Sequence, residues 1–271
     1  MARIWYQWKR GRIQSIGKRR IVKFFFFLQN ITISDLLSHR AGLPYIDQAL
    51  TVDDACNWSR MIDLLVAEKP HWTPGTTHGY HGHTTGYIAG ELIHRIDPQH
   101  RSFGQFVRDE FDQEYHVGIS DPQIEARVAP LFEKQVEHKT NANNLLALIC
   151  DKTLTCSGAL PLEQPNRMIY NEHQVHQAEL PAVNGISNAR TLAKIFSLLI
   201  NDVHENGKTY KRLLSPNTLT QAITNVTPKN EPDQTLYNYP TSFSKSGFQI
   251  YGDCFKILGD GVFGHTGKKY L

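Results

Sequence analysis

The sequence predicts a helix-rich α+β chain, on two observations. Apolar residues recur at helical spacing over long stretches, most clearly Ile88, Leu92 and Ile96, and again Leu192, Ile195, Phe196 and Leu199. Strand patterning takes over only after about residue 247, where FQIYGDCFKIL, a Gly-Asp-Gly turn and VFGHT read as a late β-hairpin.

The elements follow in order. ITISDLLSH (31–39) reads as a short helix capped by Thr32 or Ser34, with Asp35 at its positive end and Gly42 and Pro44 stopping the chain beyond it. SRMIDLLVAE (59–68) is a second helix that ends before Pro70. A loop rich in Gly, Pro and His, HWTPGTTHGYHGH, separates it from the strongly amphipathic helix over 84–96. Phe103, Phe106, Val107 and Phe111 mark a further helix, and another is expected near 143–150. Asn184-Gly185 signals a turn, after which Ser187 caps a helix whose buried stripe is Leu192, Ile195, Phe196 and Leu199. Ser215-Pro216 pairs a cap with proline at the first helical position.

Charge divides the chain unevenly. The first thirty residues hold eight Lys/Arg and no acid, which leaves 21 basic against 26 acidic residues over 31–271. A mildly acidic body argues against a nucleic-acid partner. The arm, with its cations beside Trp5, Tyr6 and Trp8, is the one stretch suited to nucleic acid or an anionic membrane surface. The longest apolar run, FFFFL at 24–28, falls far short of the roughly 20 residues a bilayer span needs, so no transmembrane segment is expected. The four cysteines (Cys56, Cys150, Cys156, Cys254) show no metal spacing and read as thiols of a reduced compartment, with a Cys150–Cys156 bridge as the alternative. The cytoplasm is the favoured location, and a mitochondrial presequence in the acid-free arm is the other reading.

Four stretches, taken in order, resemble the β-lactamase-related serine hydrolases: class C β-lactamases, penicillin-binding proteins and their esterase relatives. They are ITISDLLSHRAGLP (31–44), WTPGTTHGYHGHTTGYIAGELI (72–93), ELPAVNGISNARTLAKIF (179–196) and FGHTG (263–267). The resemblance implies a β-lactamase/transpeptidase-like fold, a helical subdomain beside an antiparallel sheet, here incomplete, with the active site between them. It also implies acyl transfer through an acyl-serine, on a small ester, amide or peptide substrate and without a cofactor. A serine hydroxyl is a weak nucleophile and needs an adjacent base. The family supplies one through S-x-x-K, where one helical turn sets Ser and Lys on the same face. A tyrosine shares proton transfer, and a K-T-G or H-x-G strand lines the third side with a backbone N–H for the oxyanion.

Tyr80 falls at the family tyrosine, but the triplet is Tyr80-His81-Gly82 rather than Y-x-N. The missing side-chain amide tilts the reading toward esterase- or peptidase-like relatives. His265, Thr266 and Gly267 match the third motif in its histidine form, and the backbone N–H of Lys268 would serve the oxyanion. S-x-x-K occurs at Ser15–Lys18 and at Ser242–Lys245. The second follows the tyrosine motif, the wrong order for the family. The first has the right order but stands only sixteen residues ahead of Ile31, without the apolar helix and acidic stretch the family places between. Ser15 and Lys18 are therefore weak nucleophile candidates, and the chain is expected to be inactive as written.

One cause is expected for both ends. FFFFLQ is encodable by a pyrimidine run ending in CAG, as introns end, and Gly267-Lys268 by GGTAAG, as introns begin. The expected organisation is an arm over 1–29, read as non-native translated sequence, and a partial domain over 30–271, with 268–271 likewise non-native. The competing reading is a non-catalytic scaffold or binding member of the same fold. A metal protein built on His71, His78, His81 and His83 is set aside, because the loop lacks a fixed geometry and a carboxylate partner.

Overall fold

The structure is a computed structural model that describes residues 31–132, 168–252, 256–259 and 261–265. Helix α1 (Ile33–Leu37) starts on a reciprocal capping box. Thr32 Oγ1 accepts the Asp35 N–H at 3.1 Å, and the Asp35 carboxylate accepts the Thr32 N–H at 2.9 Å. Helix α2 (Val52–Cys56), which the sequence reading missed, uses the same box on Thr51 and Asp54, and Asn57 then caps α3 (Trp58–Ala67).

Helix α4 (Thr84–Ile96) is the axle of this half, with nine of its 13 residues buried. Its glycines explain the close packing. A Cβ at Gly86 would stand 2.6 Å from the Ala182 nitrogen, and one at Gly90 would run into the Trp58 ring. The main core gathers Leu36, Met61, Leu65, Tyr87, Ile88 and Ile169, with the Tyr87 hydroxyl donating to Ala55 O at 2.7 Å. Each such aliphatic side chain contributes about 1.5–3 kcal/mol by leaving water. Helix α5 (Phe103–Glu110) packs Phe106 and Val107 onto Ile93.

Beyond α6 (Pro122–Glu125), a 3₁₀ turn (Ile169–Asn171) and α7 (His173–Gln177) return to the core. The Asn184 side chain then holds the expected turn by accepting from Leu180 N–H and donating to the Val175 and Ala178 carbonyls. Helix α8 (Ala189–Ile200) starts one residue later than expected. Asn188 is its cap, while Ser187 Oγ donates to Glu114 O.

The expected buried stripe of α8 is corrected. Leu199 is buried as expected, but Leu192 and Phe196 are 45% and 44% exposed, and Leu198 is buried in their place. The reason is what lies beneath it: at the C-terminal turn Leu199 packs on Leu214 and the Leu213 N–H reaches Leu198 O, while nearer the start the contacts are polar, with Thr191 buried and Lys194 paired to Asp112 at 3.0 Å.

Strands β1 (Val203–Glu205) and β2 (Lys208–Tyr210) form a hairpin absent from the sequence reading. Its turn is Asn206-Gly207, both at positive φ, the conformation a tight two-residue hairpin demands. Helix α9 (Pro216–Ala222) is capped by Ser215 as expected. The late hairpin is present but short. Strand β3 (Gln249–Ile250) pairs antiparallel with β4 (Phe263–Gly264), Gln249 facing Gly264 and Ile250 facing Phe263. Where a strand was expected to continue, a 3₁₀ turn spans Lys256–Leu258, and Gly259 and Gly261 at positive φ end the extended run. The expected helix near 143–150 lies outside the described residues. The result is a mixed α+β architecture of packed helices with small antiparallel sheets.

Candidate active site

Tyr80 and His265, far apart in sequence, meet with ring centroids 5.5 Å apart. Tyr80 sits on the loop between α3 and α4 and is held by its backbone. Its N–H donates to Asp233 Oδ1 at 3.1 Å, and its carbonyl accepts from Thr235 Oγ1 at 3.1 Å. Its ring lies parallel to Phe243 at 6.1 Å, with His39 edge-on at 5.0 Å. His265 is exposed and follows β4 directly, so the β3–β4 pairing fixes its position. Thr266, Gly267 and Lys268, like Ser15 and Lys18, lie outside the described residues.

Two buried imidazoles support Tyr80 from below. His81 Nε2 accepts the Leu43 N–H at 2.9 Å and its Nδ1–H donates to the Gly79 carbonyl, so both ring nitrogens are committed in the neutral form. Burial accordingly pushes His81 down to about 4. His39, with φ 62°, takes the His81 N–H on Nδ1 at 3.1 Å. Burial holds it well below the ordinary imidazole value, and the neighbouring His81, His265 and His78 act in the same direction.

A buried ionic chain, invisible to the sequence reading, underlies all of this. Arg40 grips Glu231 with both terminal nitrogens, at 2.6 and 3.2 Å, and also donates to the Gly75 carbonyl at 2.9 Å. Glu231 Oε2 takes the His78 Nδ1–H at 2.6 Å, and His78 Nε2 lies 2.9 Å from Thr241 Oγ1. Thr241 in turn donates to Asp233 Oδ2 at 2.7 Å, and it is Asp233 Oδ1 that holds the Tyr80 amide. His78 and Asp233 have no exposed side-chain surface. Burial works to raise the Glu231 carboxyl, but the hydrogen bonds from Arg40 and His78 outweigh it and hold it below the usual carboxylate range.

The second S-x-x-K does not form a nucleophile pair. The Ile250 N–H donates to Ser242 O and the Lys245 N–H to Thr224 O, so this stretch passes through isolated β-bridges into a turn instead of forming a helical turn. Of the other histidines of the loop, His71 packs its ring on Tyr45. A cleft of about 540 Å³ between α3, α4, α5 and α7 contains neither Tyr80 nor His265. Two of its acids are engaged, Glu91 by Trp58 and Arg95 and Glu179 by Ser102.

With that geometry in place, the comparisons decide the family. The Beta-lactamase family model matches residues 26–271. The chain belongs to the β-lactamase family. Among solved structures, a family VIII carboxylesterase is 25% identical with a TM-score of 0.68, covering 92% of this chain and 64% of its own. A penicillin-binding protein homologue from Caulobacter crescentus is 22% identical with a TM-score of 0.68, covering 94% of this chain and 67% of its own. EstA from Arthrobacter nitroguajacolicus Rue61a is 19% identical with a TM-score of 0.69, covering 92% of this chain and 66% of its own. The last two show the fold alone. The chain thus spans about two thirds of the length of these structures. No curated protein matches it. Among the described residues, no helix is long and apolar enough to cross a membrane. The fold is β-lactamase/transpeptidase-like, and the solved structures that share it include a carboxylesterase and a penicillin-binding protein homologue.

Proposed function

We propose that this chain carries two walls of the acyl-transfer site of a β-lactamase-family serine hydrolase acting on small ester, amide or peptide substrates, and that it does not turn over as it stands. The convergence of Tyr80 and His265 at 5.5 Å carries the reading, because residues of these two motifs approach each other only if the site is built. Tyr80 is the proton-transfer group beside the reacting carbonyl. His265 is the opposite polar wall. The backbone N–H of Lys268, just beyond β4, is the oxyanion donor. Gly82 stands where the family carries a side-chain amide, which removes a lactam-recognising group and favours esters. The likeness to a carboxylesterase supports the same preference.

The inactivity rests on the nucleophile. The backbone at Ser242–Lys245 supports setting that pair aside, since it runs from a β-bridge into a turn and does not form the helical turn that sets Ser and Lys on one face. That leaves Ser15–Lys18, only sixteen residues ahead of Ile31, with no acidic residue in the stretch between. The test is labelling of the whole chain with a fluorescent fluorophosphonate, followed by peptide mapping. The expected result is no labelling above a heat-denatured control, and strong labelling of a longer spliced product of the same gene. Modification at Ser15 would overturn the inactivity. A longer product that stays unlabelled would overturn the hydrolase reading.

A further inference from the structure

We propose that Asp47, Glu68 and His71 form a divalent transition-metal site of the zinc type, a clip that fastens the base of the Tyr80 loop. The three residues come from three segments: the loop after α1, the residue that ends α3, and the start of the His-rich loop. One ligand atom from each lies within 4.8 Å of the other two. The Asp47 N–H donates to Glu68 Oε2 at 2.9 Å, which already ties two of the segments together. The His71 N–H donates to Gly42 O at 2.7 Å and ties in the third.

The decisive feature is the His71 ring. It is clamped against Tyr45 with centroids 4.0 Å apart. Its Nε2 exposes less than 1 Å² and has no hydrogen-bond partner. That nitrogen instead stands 4.0 Å from Asp47 Oδ1, too far for a hydrogen bond. A buried ring nitrogen without a partner costs free energy, and a shared ion removes the cost. Two ligands on one tetrahedral zinc, with bonds of about 2.1 Å, stand about 3.4 Å apart. A movement of well under 1 Å by the Asp47 side chain, which is 74% exposed, closes the difference. Glu68 keeps its bond to the Asp47 amide while ligating, because a carboxylate oxygen has lone pairs for both. One imidazole with two carboxylates suits zinc, while the imidazole disfavours magnesium and calcium. Water completes the coordination.

The sequence reading set a metal aside because the loop showed four histidines and no carboxylate. The structure commits His78 and His81 to hydrogen bonds within the protein and supplies His71 with two carboxylates from elsewhere. The site is independent of the hydrolase reading.

The experiment is calorimetric titration of ZnCl₂ into the EDTA-treated full chain, with melting followed in parallel. One equivalent is expected to bind and to raise the melting temperature by several degrees. Asp47→Asn, at an exposed position, is expected to weaken binding at least tenfold. His71→Phe, which keeps a ring against Tyr45 but removes the nitrogen, is expected to abolish it with the circular-dichroism spectrum unchanged. Absence of zinc binding to the parent chain would overturn the site. So would undiminished binding in both variants, which would place the zinc on other groups.

Discussion

Tyr80 and His265 reach the same place from very different surroundings. Tyr80 rises from the helical half, where α1 to α4 enclose Met61, Leu65 and Tyr87 at 1% exposure or less, and its backbone is gripped by the fully buried Asp233. His265 hangs from a ladder of two residue pairs, and beside it α8 leaves Leu192, Phe196 and Ile200 between 44% and 49% exposed. The first wall is over-determined by packing and hydrogen bonds. The second is held by that short ladder and by the small cluster of Phe248 and Phe263 on Leu199 and Leu214. The difference teaches that a catalytic motif is only as firm as the layer behind it. The buried chain from Arg40 through Glu231 and His78 to Asp233 ties the Tyr80 loop to residues 231–241, which lead into β3.

Cutting that tie is the largest blow to the comparison. Glu231→Ala leaves Arg40 desolvated without its partner and should cost about 3–5 kcal/mol, read as a lowered urea midpoint. A loss below 1 kcal/mol would mean that the halves hold together without it.

The packing contrast comes next. Met61→Ala should cost about 2–5 kcal/mol, while Leu192→Ser, at an open position, should stay within about 0.5 kcal/mol. Equal losses at the two positions would erase the difference between the regions.

Acid sharpens the contrast further. His81 titrates near 4 in the folded chain and near 6.5 unfolded, so the unfolded state binds the extra proton first as pH falls. Stability is therefore fully present above about 6.5 and lost progressively down to about 4, by about 3 kcal/mol from this group. His39 is lowered in the same sense. The depressed Glu231 adds stability present above the unfolded carboxyl value, lost as pH falls through its folded one. Urea unfolding between pH 7 and pH 4 should show the midpoint falling throughout; a flat profile would mean that these imidazoles are not buried neutral.

Much of the helical half was legible because its signals are local. The Thr32–Asp35 box, the bounds of α4 and the Ser215-Pro216 start each depend on residues within a turn or two of one another. The β1–β2 hairpin carried an equally local signal in Asn206-Gly207, flanked by VHE and KTY, and was passed over. The burial of α8 was misread for a different reason. Spacing shows that Leu192 and Phe196 share a face, but not what lies against that face. The site divided in the same way. Tyr80 and His265 stood out through motif resemblance, whereas Glu231 and Asp233, in an unremarkable EPD loop, matter only because Arg40 and His78 fold onto them from the far end of the sequence.

The central claim is that the two walls face each other across one site. It is tested most directly by nuclear Overhauser contacts in chain carrying selectively labelled Tyr, His and Phe. Rings 5.5 and 6.1 Å apart should give cross-peaks from Tyr80 to both His265 and Phe243, each lost in Tyr80→Leu. A Tyr80–Phe243 contact without any Tyr80–His265 contact would contradict the account, leaving one wall built and the other astray.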